Sequence, residues 1–258
     1  MITVILQGGI GNQMFQYAFG RAQAKRLGVE VQFDATRLAV NRPFSLGQWD
    51  IDAFRLSPRM VPTVREVGLP YNQKLVDNIR DGDVLQGYWQ SEKYFENVRE
   101  ELRNLNPLNR RKDLESQILA EENAVAIHVR RGDYIQEPHK SFHGNLDYGY
   151  YGPARQYIRD CISHPKFFFF TDNPKWVSET FYTDFSLGRD VVVEPGTEAT
   201  DIYAMSLCDH VITANSSFSW WAAYFKHPYG TVIAPKNWFG PTCTEDARDI
   251  CPERWVRL

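Results

Sequence analysis

Hydrophobic residues recur along this chain in two rhythms. Residues 2–6, ITVIL, are apolar but for Thr3 and predict a strand. The turn Gln7-Gly8-Gly9-Ile10-Gly11 follows, and then Phe15, Ala18, Phe19 and Ala22 fall on one face at helical spacing. They predict a helix over 12–27, with Asn12 as its N-cap and Gly28 as its stop. Residues 29–33 read as the next strand, which completes a βαβ unit with a glycine turn at the carboxyl end of its first strand. Across 35–83 the rhythm is lost: Pro43, Pro58, Pro62 and Pro70 break any long element, and loops with short helices are expected. A strand over 84–88 and helices over 91–105 and 113–122 lead to the middle of the chain.

From there the pattern becomes regular. The segment Ala124–Val129 alternates small and branched apolar residues and predicts a buried strand. Strands over 167–171, 191–194, 210–213 and 231–235 alternate with helices over 152–163, 174–182, 199–208 and 218–225. Five strands alternating with helices predict a parallel sheet and an α/β fold. The boundary falls at the end of the 113–122 helix, giving lobes over 1–121 and 122–258.

Polar residues collect where those strands end. After the central strand come His128, Arg130, Arg131 and Asp133. Alternation in an extended backbone puts His128 and Arg130 on one face, and Val129 and Arg131 on the other. Gly132 lets the chain turn sharply. Open α/β sheets hold ligands at the carboxyl ends of their strands, and the planar forks of two guanidiniums suit a diphosphate. Asp133 is placed to hold one of them. The 167–171 strand ends in Thr171-Asp172-Asn173-Pro174, and the 210–213 strand runs into Asn215-Ser216-Ser217-Phe218; each enters a helix. Hydroxyls and N–H groups at a helix start make an anion cradle. Asp172 would repel phosphate, but it can accept from the two donors on a guanine edge. Any one of these ends alone is ordinary helix capping. Three on one sheet edge beside two arginines are harder to dismiss.

The first turn carries Gly9, Gly11, Asn12 and Gln13. It is not a dinucleotide fingerprint, because Met14 occupies the third glycine position. A glycine turn feeding a helix can still approach an anion or a sugar closely, and the two amides can meet hydroxyls. Asp81-Gly82-Asp83 and Asp50-Ile51-Asp52 have the spacing of a divalent-metal motif, but Asp-Gly here is turn chemistry.

Composition narrows the classes. With 258 residues, 43% of them hydrophobic, the chain can bury a substantial core, and a net charge of −3 gives no basic footprint for nucleic acid. Cys161, Cys208, Cys243 and Cys251 form no C-x-x-C pair, which fits a reducing compartment, although Cys243 and Cys251 could bridge in an oxidising one. No apolar run reaches membrane-spanning length, and the N-terminus reads as a strand rather than a signal peptide. A cytoplasmic protein is expected.

Three stretches, GGIGNQMFQYAFG, HVRRGDY and ITANSSFSWWAAYF, together resemble the bacterial α1,2-fucosyltransferases and, more distantly, the α1,6- and protein O-fucosyltransferases. The resemblance covers nearly the whole chain. It implies a GT-B fold of two Rossmann-like lobes facing across a cleft, with acceptor on the N-terminal lobe and GDP-fucose on the C-terminal one. It implies inverting, metal-independent transfer of L-fucose from GDP-β-L-fucose to the 2-hydroxyl of a galactoside, such as lactose or a glycan terminus, with no cofactor. Carried onto matching positions, Arg130 holds the diphosphate and His128 lines the donor pocket. Asp133 braces the arginines or touches the donor, and Asp172 reads guanine. Ser216, Ser217 and Phe218 wrap the phosphates, and Gly9–Gln13 covers fucose and diphosphate. Animal members have an N-terminal membrane anchor that this sequence lacks, so their Golgi location does not carry over; peripheral contact with membrane-linked acceptors at the inner face is compatible. Two rivals are a fucosyltransferase with another acceptor, such as a peptide hydroxyl, and a non-catalytic sugar-nucleotide or glycan-binding protein. The general base, the natural acceptor and the oligomeric state stay open.

Overall fold

The computed structural model describes residues 1–39, 42–51, 55–181, 190–225 and 230–258, the side chain of Asp133 excepted. Asp52 and the expected helix end at residue 182 lie outside these. The chain forms two compact units, Met1–Leu108 with Glu245–Pro252, and Asn109–Thr244 with Glu253–Leu258.

The first unit is built on β1 (Ile2–Ile5), β2 (Val31–Asp34), β3 (Val64–Arg65) and β4 (Val84–Gln86), all parallel, in the order β2-β1-β4-β3. Helix α1 (Ile10–Leu27) makes the first crossover and stops at Gly28 in the left-handed conformation, φ 67°. It starts two residues earlier than its periodicity predicts. Gly9, not Asn12, is the N-cap, since the N–H groups of Asn12 and Gln13 both reach the Gly9 carbonyl at 3.0 Å. Burial of α1 extends beyond one stripe to Gln13, Gln16 and Gln23. Gln13 and Gln16 spend their amides on loop backbone, which is what makes their burial tolerable. Short helices α2 (Gln73–Asn78) and α3 (Arg99–Arg103) complete the unit. The single helix expected over 91–105 is broken at Phe95, whose φ of −143° leaves the helical region. Phe19 stacks on Trp89 at 3.9 Å and sets the centre of this core.

The second unit contains α4 (Lys112–Leu119), β5 (Ala124–Val129), α5 (His139–His143), α6 (Tyr148–Cys161), β6 (Lys166–Thr171), α7 (Pro174–Thr180), β7 (Val191–Val192), α8 (Glu198–Ser206), β8 (His210–Ile212), α9 (Ser217–Phe225), β9 (Val232–Ala234) and β10 (Val256–Arg257). Its strands are all parallel in the order β10-β9-β8-β5-β6-β7. The chain builds outward from β5 to β7, then crosses back to lay β8 on the other side of β5. The strand order therefore reverses between β5 and β8, the place where doubly wound sheets open a ligand crevice. Period-two alternation sorts β5 cleanly. Val125, Ile127 and Val129 join Phe167, Phe169, Tyr151 and Ile158 in one core. Two short elements escaped the periodicity: β10 is only two residues long, and α5 has no buried residue.

The expected boundary after residue 121 falls inside the second unit. Helix α4 is tied to α8 there: Arg111 Nη1 lies 2.7 Å from Asp201, and the Arg110 guanidinium sits 4.2 Å from the centre of the Tyr203 ring. The chain leaves the first unit before α4 rather than after it.

Candidate active site

Extended backbone carries His128 and Arg130 to the carboxyl end of β5, beside the switch point. Arg130 Nη1 pairs with Asp172 Oδ2 at 2.9 Å, and Asp172 Oδ1 accepts the Arg131 backbone N–H at 2.8 Å. Asp172 arrives from the end of β6, the neighbouring strand, where Thr171 Oγ1 accepts the Asn173 N–H and Asn173 caps α7. A Cβ on Gly132 would stand 2.7 Å from Asp172 Oδ2, so glycine here is what lets the carboxylate close on the arginine. The Tyr134 ring lies 5.6 Å from the guanidinium carbon, and Tyr134 is itself stacked on His143 at 4.4 Å with planes 2° apart. Carboxylate and aromatic face together fix the fork while leaving Arg130 partly exposed.

His128 is buried, with its ring 5.1 Å from that of Phe218 at the start of α9. Its Nδ1 has no hydrogen-bond partner among the described residues. Burial, helped by the positive charge of Arg130, pulls its pKa down to about 3, so the imidazole is neutral at physiological pH. The Tyr151 hydroxyl donates to the His128 carbonyl at 3.1 Å and anchors the strand end from the opposite face.

Several expected ligand contacts are spent inside the protein. Arg131 lies on the Val129 face, with its guanidinium 4.2 Å from the centre of the Trp176 ring, so it braces α7. Asn215 is buried and donates to the carbonyls of His143 and Trp238, fastening two loops together. Gln13 donates to Gly8 and Pro43 and accepts from Ser45, so its amide is engaged within the protein. Asp172 braces the arginines, Arg130 through its guanidinium and Arg131 through its backbone N–H. The side chain of Asp133 lies outside the described residues. Ser216, Ser217 and Phe218 are half-buried at the start of α9, where Ser216 Oγ accepts the Phe218 N–H at 3.3 Å. The structure thus brings together His128, Arg130, Asp172 and Phe218.

In the first unit the glycine turn is formed as expected, with Gly8 at φ 78° and Asn12 accepting from Gln90 at 2.8 Å. Arg42, which the sequence did not single out, stands 3.8 Å from where a Gly9 Cβ would be. Asp81-Gly82-Asp83 is a turn: Asp81 pairs with the amino terminus, and Asp83 accepts from Thr63 and the Arg80 N–H. All four cysteines are free thiols, and among the described residues no helix is long and apolar enough to cross a membrane.

The fold has solved counterparts. A variant of Arabidopsis thaliana FUT1 in complex with GDP superposes with a TM-score of 0.55 at 12% identity, over 99% of this chain and 75% of the plant chain. That likeness is one of fold, the α/β GT-B type. At the level of sequence, the alpha-1,2-colitosyltransferase of Escherichia coli is 30% identical over 287 residues, spanning 100% of this chain and 99% of the relative. The galactoside alpha-(1,2)-fucosyltransferase 2 of Oryctolagus cuniculus is 26% identical over 266 residues, spanning 93% of this chain and 71% of the relative. The family model described as glycosyl transferase family 11 matches residues 82–258, the larger part of the chain and all of the second unit, and it is to this family of glycosyltransferases that the chain belongs.

Proposed function

We propose that this glycosyltransferase moves L-fucose from GDP-β-L-fucose to the 2-hydroxyl of a terminal galactoside, inverting the anomeric centre and using no metal ion. The observation that carries the reading is Arg130, a guanidinium held by Asp172 at the carboxyl end of β5, beside the switch point of the second sheet. Negative charge grows on the departing diphosphate in the transition state, so a cation fixed in advance lowers the barrier more than one that must reorganise. The start of α9 adds oriented N–H groups and a helix dipole on the other side of the switch point. His128, neutral and buried beside Phe218, offers a hydrogen-bonding atom to the donor without competing for the diphosphate.

The galactoside acceptor is supported by the named activity of the rabbit relative. The colitosyltransferase at 30% identity favours a second reading, in which a colitosyl donor replaces the fucosyl one with the same linkage. One assay separates them. GDP release is followed in EDTA with GDP-fucose or GDP-colitose as donor, and lactose, other galactosides or a peptide panel as acceptor. The expected result is turnover of GDP-fucose on galactosides, undiminished by EDTA, with an α1,2 linkage in the product by NMR. Turnover only with GDP-colitose selects the second reading, and strict dependence on added divalent metal overturns the metal-free mechanism.

A further inference from the structure

Beyond Ile127 the two strands that flank the switch point part company. β5 pairs with β8 only as far as Ile127 against Ile212, while on its other side it stays paired with β6 through Val129 against Thr171. The chain after β8 likewise runs on along β9, where the Thr213 N–H donates to the Ile233 carbonyl at 2.8 Å. One strand end carries Arg130 and the other leads into α9, and the ladder between them has already stopped. Parted strands leave backbone groups to be satisfied by something else, because a buried carbonyl or N–H without a partner is costly.

Helix α6 supplies that something. Tyr150 and Tyr151 lie in its first turn, where their N–H groups both reach the Asp147 carbonyl at 3.1 Å. Successive helical residues point about 100° apart, so the two rings splay toward different strands. The Tyr151 hydroxyl donates to the His128 carbonyl at 3.1 Å and accepts the Arg130 backbone N–H. The Tyr150 hydroxyl donates to the Thr213 carbonyl at 2.8 Å and lies 3.3 Å from that of Ile233. Both rings belong to the core with Val125, Ile127 and Val129, and their centres are 5.0 Å apart. Burial pushes the Tyr151 phenol above its ordinary range, so it keeps the proton that the His128 carbonyl accepts. A tyrosine has only two side-chain torsions, and packing leaves neither ring room to turn. The pair is a stiff double strut between the end of β5 and the end of β8.

We propose that Tyr150 and Tyr151 are positioning residues for the reaction, setting the gap between Arg130 and the start of α9 so that both sides of the diphosphate site stand ready before the donor arrives. The assignment rests on the fucosyl-transfer reading above and adds to it the groups that hold its machinery in place. Neither phenol touches the donor; Tyr151 acts through the backbone on either side of Val129, and Tyr150 through that of Thr213. A site preset in this way spends its interactions on the transition state rather than on its own reorganisation.

The test is a double-mutant cycle: Tyr151→Phe alone, Arg130→Ala alone and both together, with kcat on GDP-fucose and lactose, GDP affinity by calorimetry and melting temperature for each. Phenylalanine keeps the ring and removes only the hydroxyl. Tyr151→Phe alone is expected to lose about tenfold in kcat and less than about threefold in GDP affinity. In the Arg130→Ala background it is expected to cost less than about twofold further in kcat, while lowering the melting temperature as much as before. Tyr150→Phe is expected to show the same split between kcat and GDP affinity. An equal kcat loss in both backgrounds, or no kcat loss in either single tyrosine variant, overturns the positioning role. Hydrogen exchange on the ligand-free wild type needs no variant: the Arg130 amide is expected to be protected before GDP is added. An Arg130 amide that exchanges freely until GDP binds overturns the proposal even where a variant fails to fold. Either of these failures in an enzyme that turns over GDP-fucose on galactosides leaves the fucosyl-transfer reading standing, whereas a wild type inactive with GDP-fucose overturns both.

Discussion

Asp172 grips two successive residues of the neighbouring strand end, the guanidinium of Arg130 with one oxygen and the backbone N–H of Arg131 with the other. A side chain held at both oxygens resists rotation, so the arginine it holds is aimed before any ligand arrives. Lysine cannot reproduce that arrangement, because an ammonium is a point charge without a planar fork. We expect Arg130→Lys to lose nearly as much kcat/KM as Arg130→Ala, at least about ten- to hundredfold, as the loss of a charge-assisted hydrogen bond implies. Turnover near the wild-type rate in Arg130→Lys, measured by GDP release, removes this role.

Gly132 tests the same relationship from the backbone. A methyl group there would meet Asp172 Oδ2 at 2.7 Å, and that oxygen is the far end of a short side chain that can rotate away. We expect Gly132→Ala to fold with a melting temperature within a few degrees of the wild type, yet to lose about tenfold in kcat/KM as the ion pair opens. Unchanged kinetics would mean that Arg130 does not need Asp172 to be aimed.

The neutral state of His128 carries a signed prediction for stability. Its folded pKa of about 3 lies below the ordinary value of 6.5, so between these limits the unfolded chain binds a proton that the folded one refuses. Stability is therefore expected to fall as pH drops from 6.5 toward 3, by up to about 1.4 kcal/mol per pH unit from this group. Urea midpoints at pH 7.5 and 5.0 for the wild type and His128→Gln measure it. The variant should lose less between the two, and an equal loss contradicts the assignment.

Away from the site, Arg155 and Asp190 form an ion pair at 2.7 Å with side chains only 2% and 4% exposed. The guanidinium lies 4.7 Å from the ring centre of Phe167 and 4.9 Å from that of Phe181. Removing one partner strands a charge in this core, so Asp190→Asn is expected to cost about 3–5 kcal/mol by urea denaturation. The double change Asp190→Leu with Arg155→Met should recover most of it.

What the sequence made legible follows from what the physics keeps local. The β5 boundaries, the opposite facing of His128 and Arg131, and the clustering of polar residues at the ends of β5, β6 and β8 all come from period-two alternation within single strands. Strand order is a long-range property, and the reversal between β5 and β8 could not be read from periodicity. The internal partners of Asn215 and Gln13 could not be read for the same reason: those of an amide, here His143, Trp238 and Pro43, lie far off in sequence. Arg42 was missed because it lies in an irregular stretch.

The assignment of Glu245–Pro252 to the first unit bears on how the protein can be dissected. Within that segment, Asp249 accepts the Tyr71 N–H and pairs with Lys93 at 2.7 Å, so an expressed fragment ending at Leu108 would lose both contacts. The polypeptide passes from one unit to the other at three separate places, and no single scission frees either half with all its own residues. Fragment complementation at a loop inside one unit is the practicable route to a two-piece version of this protein.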